Sequence, residues 1–208
     1  MKKGPLIEKD SFNLIGKEMK KDFDSFHLPI VKRIIHATGD FQFEDTIRFH
    51  PDAVKCGVEA IRRGLDIVVD VKMVAAGVNK KALAKFGCNV VCRISDEDVE
   101  QTALRFSLTR AEAAFQMILS EGTASNIGII AIGNAPTALI KTMEIIDAGG
   151  FSPALVIGVP VGFVKAEESK DMLSQKNYPF ITCLGKKGGS PVAAAIINAL
   201  VIIAGENK

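Results

Sequence analysis

The sequence has no tryptophan and a single tyrosine, against 12 phenylalanines and 48% hydrophobic residues. A core drawn from this stock is aliphatic with Phe as filler, and 208 residues suffice for one domain or at most two. A charge excess is also missing. The 26 basic and 24 acidic residues leave +2, which argues against a dedicated nucleic-acid binder but leaves room for a local basic pocket. The longest apolar run lies within residues 191–204, short of the ~20 residues that span a bilayer. The opening segment MKKGPLIEKDSF carries acids and no apolar core, so no signal peptide is expected. Cysteine is scarce: Cys56, Cys88, Cys92 and Cys183. The one close pair, Cys88 and Cys92, reads as part of a strand, which would hold the two about 13 Å apart. Neither a disulfide nor a shared metal suits that spacing. All four are expected to be reduced, buried residues of a cytoplasmic protein.

What is present is an alternation of short β-rich runs and helical stretches. Residues 65–71 (LDIVVDV), 89–94, 127–132 (IGIIAI), 155–159 and 180–184 read as strands. Between them, 79–86 reads as a short helix closed by Gly87. A second, 109–119, sets Ala111, Ala114, Phe115 and Ile118 on one face and ends at Gly122. Pro136 opens a helix that Gly149 and Gly150 stop; 166–175 is another, and Pro191 opens the last. Continuous apolar strands alternating with helices predict a parallel sheet covered on both faces. Right-handed crossovers make it a doubly wound, three-layer α/β/α fold with five strands counted from residue 65 onward. The first 64 residues read as a helical flank. In it Leu28, Val31, Ile34 and Ile35 form one helix face ending at Gly39, and 54–63 form a second helix ending at Gly64. A single domain over 1–208 is expected.

Ligands of open parallel sheets bind beyond the carboxyl ends of the strands. The stretches there are 72–77 (KMVAAG), read as a loop, 133–137 (GNAPT), 160–163 (PVGF) and 185–190 (GKKGGS). Two are rich in glycine, amide and hydroxyl groups and lead into helix N-termini, whose unpaired N–H groups favour anions. Lys186, Lys187 and Lys72 add full charges. Such an edge suits an apolar ligand bearing several separate anionic groups; tight βα turns would use the same residues. Dinucleotide and phosphate-loop signatures are absent: GIIAIGNAP is not G-x-G-x-x-G, and GKKGGS lacks the G-K-[ST] ending. Of three histidines, His27 reads as a surface residue at a helix start and His50 as a loop residue. His36 lies in the last turn of a helix, where the negative dipole end favours imidazolium and a general acid is available near neutral pH. Asp40 is placed to orient or charge it. A simple C-terminal capping role for His36 fits the same spacing.

Six motifs in order, RIIHATGD (33–40), DVKMVAAG (70–77), TRAE (109–112), GNAPTAL (133–139), PVGFV (160–164) with ESK (168–170), and GGSPVAAA (188–195), resemble one family along nearly the whole chain. That family is the precorrin-8X methylmutases, also called cobalt-precorrin-8 methylmutases or precorrin isomerases. The resemblance implies a parallel α/β fold and a homodimer with sites near the subunit interface. It also implies a corrin-precursor substrate edged with acetate and propionate groups, whose methyl group moves from C-11 to C-12 with no external cofactor consumed; the acidic residues themselves form no evident metal-binding cluster, so no metal site is expected. The product is hydrogenobyrinic acid or its cobalt form, cobyrinic acid. Carried over by motif, His36 is the catalytic acid/base, Arg33 and Ser11 bind substrate, and Thr38, Arg110, Asn134 and Thr137 lie near the ring or its carboxylates. Lys186 joins them from its place beside Gly188 and Gly189. Asp70 is open to a structural role at a helix end. Two rivals remain: a corrinoid carrier without turnover, and a doubly wound enzyme acting on a phosphorylated metabolite.

Overall fold

The computed structural model describes residues 3–120 and 126–206. A six-stranded sheet runs in the order β1-β6-β5-β4-β2-β3, with β1 Ile47–Phe49, β2 Asp66–Val69, β3 Val90–Val91, β4 Ile127–Ile132, β5 Leu155–Gly158 and β6 Phe180–Cys183. The five strands from residue 65 onward are all parallel, and the winding reverses between β2 and β4. The sixth strand, β1, corrects the expectation of five. It pairs antiparallel with β6, Arg48 opposite Thr182, inside a region read as wholly helical. Three residues are too few to show a period of two, and an edge strand needs only one partner.

Alternation along the strands sorts the core. Ile67, Val69, Ile129, Ala131, Leu155 and Ile157 point to one face, where they meet α2 (Leu28–Thr38), α4 (Ala53–Arg62), α5 (Lys72–Gly77) and α11 (Ser190–Glu206). Val68, Ile130, Ile132 and Val156 point to the other, against α8 (Arg110–Ser120), α9 (Pro136–Asp147) and α10 (Ala166–Ser174). This is the expected three-layer arrangement. Each fully buried Ile, Leu or Phe contributes about 1.5–3 kcal/mol, so burial on both faces dominates stability. No helix among the described residues is long and apolar enough to cross a membrane.

Two helices depart from the sequence reading, and two more lie in the flank read as helical. The stretch 72–77, expected as a loop, is α5. Glu97–Phe106 forms α7, which was not foreseen. Its apolar stripe is only Val99 and Ala103, packed on Ala113 and Ala114 of α8. Lys3–Glu18 is α1, a helix docked on α2. Phe43–Thr46 is the single turn α3, whose buried Glu44 accepts the backbone N–H groups of Lys20 and Lys21, each at 2.8 Å. The short helix closed by Gly87 is found as α6 (Lys80–Leu83) running into a 3₁₀ turn, Ala84–Phe86. The stop at Gly122 lies outside the described residues.

Helix α2 carries His36 and shows why the sequence folds locally as it does. Pro29 lies in its first turn. Ile30, Val31, Ile34 and Ile35 are buried toward α11, and Gly39 ends it in the left-handed region (φ 67°), with its N–H on Ile35 O. His27 is its N-cap residue, not a free surface side chain. It is half-buried, 2.6 Å from Asp24 and stacked on Phe49.

Candidate active site

The carboxyl edge of the sheet is a set of loops in contact with one another. A Cβ on Gly133 would meet Ser190 Cα at 2.9 Å, so glycine lets the β4–α9 loop touch the start of α11. A Cβ on Gly188 (φ 153°) would lie 2.3 Å from Val159 O, and Gly162 N donates to Lys186 O at 3.1 Å. The β5–α10 and β6–α11 loops are therefore joined through their backbones.

Each of the two glycine-rich loops is held from beneath by a buried charge. Asp70, 1% exposed at the end of β2, accepts N–H bonds from Gly133 (3.1 Å), Asn134 (2.7 Å) and Ala135 (2.8 Å). Burial pushes its carboxyl above the ordinary range, against the pull of those three donors. Lys170 of α10, with no exposed surface, donates to Lys187 O at 2.5 Å, and Cys183 Sγ donates to the same carbonyl at 3.2 Å. Burial lowers the Lys170 pKa. One expectation is corrected here: the N–H groups of Gly133, Asn134 and Ala135, which lead into α9, are already taken by Asp70 and are not open to an anion. Asp70 plays the helix-end role left open for it.

His36 stands exposed at the end of α2. Its ring lies 5.0 Å from that of Phe12 in α1, and the Arg33 guanidinium lies 5.0 Å from the same Phe12 ring while also bonding Glu8 at 3.2 Å. Ser11 is on α1 beside Phe12, its hydroxyl donating to Ile7 O. Thr38 donates to Ile34 O and accepts from Asp40 N. Phe12 and Arg33 also line an apolar cleft of about 270 Å³ with Leu28, Pro29, Lys32, Ala199 and Ile202. Asp40 does not reach for His36. Its carboxylate pairs with Lys187 at 2.5 Å, and that hydrogen bond holds its pKa below the ordinary value.

The remaining predicted residues fall into two further groups. Thr137 shares a 2.8 Å hydroxyl bond with Thr109, so the starts of α8 and α9 meet, with Arg110 exposed next door and Asn134 exposed on the β4–α9 loop. Arg110 lines a separate cleft of about 430 Å³ with α7. Lys186 is exposed, its ammonium 5.6 Å from the Phe163 ring. Thus Arg33 and His36 come together at Phe12, with Ser11 next to Phe12 in α1 and Thr38 two residues after His36; Arg110 follows the Thr109 that bonds Thr137; and Lys186 stands on the loop pair.

A model of the family described as precorrin-8X methylmutase matches residues 6–203. The chain belongs to the precorrin-8X methylmutase family. It is therefore an isomerase of the intramolecular-transferase type, a methylmutase. It is similar to the cobalt-precorrin-8 methylmutase of Priestia megaterium, at 45% identity over 95% of this chain and 87% of that one. A second relative, the cobalt-precorrin-8 methylmutase of Leptospira interrogans, is 42% identical over 96% and 94%. The crystal structure of a precorrin-8X methylmutase from Thermus thermophilus superimposes with a TM-score of 0.89 at 38% identity, covering 97% of both chains. These names do not favour the carrier reading.

Within this methylmutase, sequence reasoning missed three features of the edge. Phe12 joins His36 and Arg33; the helical spacing of Glu8, Phe12 and Ile15 carried that signal. Phe163, 85% exposed beside Lys186, was read only as part of a loop. Lys187, half-exposed, reaches across to Asp40 and Gln42 beside the end of α2, which nothing local in GKKGGS announces. The cysteines also differ from expectation in part. All four are unpaired, but only Cys88 and Cys183 are buried; Cys56 and Cys92 are intermediate. Burial pushes the Cys88 and Cys183 thiols up to about 11, which keeps them as inert thiols at neutral pH.

Proposed function

We propose that this methylmutase moves the C-11 methyl group of precorrin-8X, or of its cobalt form, to C-12. The product is hydrogenobyrinic acid or cobyrinic acid, in cobalamin biosynthesis, and His36 is the catalytic acid. The observation that carries this is the family match over residues 6–203, joined to an exposed His36 at the tethered end of α2. Ser11, Arg33, Thr38, Arg110, Asn134, Thr137 and Lys186 bind the ring or its carboxylates. Arg33 is poised for this role by its place over Phe12. Val161, Phe163 and Val164 expose an apolar surface beside the Lys186 ammonium, a pairing suited to a flat ring with an acidic rim.

The methyl bond at C-11 breaks as the bond at C-12 forms, so the electron pair stays within the conjugated ring and no nucleophile is needed. The protein's part is to polarise the π-system and hold the ring near the transition-state shape. A proton lent by His36 to the ring withdraws electron density from it. A positioned general acid contributes about 10²–10⁴-fold, and the rest comes from orientation and preorganised charge. With a metal-free ring the proton is delivered at a ring nitrogen and returns to His36 as the product's conjugation is established, so the isomerisation takes up no net proton; with cobalt on the nitrogens His36 acts at a ring carbon, by the same loan and return of a proton, or orients the ring.

One domain carries this activity, as a homodimer in the cytoplasm. The 270 Å³ cleft beside Phe12 is small for a macrocycle, and α1 exposes Ile7 and Leu14, so a second subunit supplies the missing wall. Four unpaired cysteines fit a reducing compartment. The test is to incubate the protein with metal-free and with cobalt-bearing precursor and follow the visible spectrum. Conversion at catalytic protein levels is expected. His36→Ala abolishes it while corrinoid binding and far-UV circular dichroism persist. Near-normal conversion by that variant removes His36 from its role.

A further inference from the structure

We propose that Lys187 is a positioning residue for the methyl shift: it fixes the end of α2 that carries His36 to the β6–α11 loop, leaving Lys186 to meet the substrate. This rests on the reading of His36 given above.

The side chain of Lys187 donates to Asp40 Oδ2 at 2.5 Å and to Gln42 Oε1 at 2.6 Å. Asp40 has little slack relative to His36. Gly39 closes the helix with a 2.7 Å bond to Ile35 O, Thr38 Oγ1 donates to Ile34 O at 2.8 Å, and Asp40 N donates to that same Thr38 oxygen. Whatever holds Asp40 therefore holds the last turn of α2. Lys187 is itself held at its other end. Its carbonyl is the acceptor for the fully buried Lys170 ammonium and for the Cys183 thiol. Gly188 packs on Val159 O, so the loop cannot swing without losing that contact. A buried ammonium on α10 thus fixes a loop, and the loop fixes a helix terminus on the opposite face of the sheet. A productive site requires this kind of support behind the reacting group.

Adjacent lysines of one loop divide the work. The Lys186 carbonyl is bound by Gly162 N and its ammonium lies over Phe163, facing outward, whereas Lys187 faces α2. Stability alone is a poor reason for the Lys187–Asp40 pair, because half-exposed ion pairs contribute little. Its second effect is electrostatic. The carboxylate nearest the end of α2 is neutralised, and a substrate rimmed with carboxylates is not repelled there.

The test compares Lys187→Met, Lys187→Arg, Asp40→Asn and the Lys187→Met/Asp40→Asn double variant. The Asp40→Asn side chain can keep its bond to the Gln42 N–H while turning its amide group toward the ammonium. Lys187→Met and Asp40→Asn are each expected to lower kcat about tenfold or more, with KM and the dissociation constant for product changing less than about twofold. The double variant should be no worse than the worse single one, as for two ends of one contact. Lys187→Arg should restore most of kcat. The His36 ring signals in ¹H–¹⁵N spectra should shift or broaden in Lys187→Met. A weakened affinity with kcat retained would make Lys187 a substrate ligand and overturn the proposal. Unchanged kcat would overturn it too, whatever the ring signals do. Failure of the His36 reading is separable: it shows as turnover by His36→Ala, while the ring-signal change in Lys187→Met still reports the clamp.

Discussion

The Gly133–Thr137 and Gly185–Ser190 loops look alike in sequence and are anchored in opposite ways. Both follow a central parallel strand, both carry glycine and a hydroxyl residue, and both open a helix. The first is gripped by a buried acid from the neighbouring strand, which takes three of its amide N–H groups. The second is gripped by a buried base from the preceding helix, which takes one carbonyl. The acid turns three of the first loop's donors inward, and the side chains of Asn134 and Thr137 stay available to a ligand. The base leaves the second loop's lysines free to divide between substrate and scaffold. Glycine-rich composition says that a backbone can bend closely around something; it does not say whether that something is a ligand or the protein's own side chain.

The contrast can be broken by substitution. Asp70→Ala strands three N–H groups at once, that of Gly133 buried and those of Asn134 and Ala135 part-buried; a buried donor left unmade costs about 1–3 kcal/mol and a partly exposed one less, so stability should fall by about 2–4 kcal/mol in urea unfolding. A loss below about 1 kcal/mol would mean that water replaces the carboxylate and that the loop does not depend on it. Lys170→Met removes a buried charge whose desolvation is costly, and the Lys187 carbonyl keeps the Cys183 thiol, so the change should stay within about 1 kcal/mol of zero. A loss as large as that of Asp70→Ala would erase the asymmetry. Lys186→Ala should weaken binding of corrinoid about two- to fivefold at low salt, the effect fading as salt is raised; an affinity unchanged at low salt would deny that lysine its outward role.

The smallest effect is in the pH dependence, and its sign differs between the two acids. The Asp40 pKa is held below its ordinary 3.8 by the Lys187 hydrogen bond. Its contribution is present above 3.8 and is lost as pH falls through the lowered value, so Asp40→Asn should flatten the stability curve on the acid side of 3.8. The Asp70 pKa is raised above 3.8 by burial. Its titration favours the fold below 3.8 and that contribution is lost as pH rises through the raised value, so Asp70→Asn should flatten the curve on the other side. Urea midpoints followed between about pH 3 and pH 6 would show both slopes.

Much of the fold was legible in advance. Ile127–Ile132 is a strand over the residues expected, Gly39 and Gly87 end their helices, and Ala111, Phe115 and Ile118 are buried together, while Ala114 packs against α7 instead. Long apolar runs and glycine stops report on themselves, because the pattern and the structure it produces lie within the same dozen residues. The elements that escaped were short or thinly apolar. The three residues of β1 are held by β6 from more than a hundred positions away, α5 has six residues, and α7 buries only Val99 and Ala103. Of the site, the grouping of Arg33, His36 and Thr38 was readable because one helix carries them. The pairing of Asp40 was misread, because its partner was sought on that same helix.

By itself the sequence determined the alternation of strands and helices, the ends of α2, and an ordered series of motifs that belongs to the precorrin-8X methylmutases. Only the tertiary structure decided which amides are already bonded, which lysine faces outward, and what stands beside His36. The reason is range: periodicity and capping act between neighbours a few residues apart, whereas Asp40 meets Lys187 across 147 positions and Asp70 meets Asn134 across 64. Such partners are chosen by the way the sheet is wound.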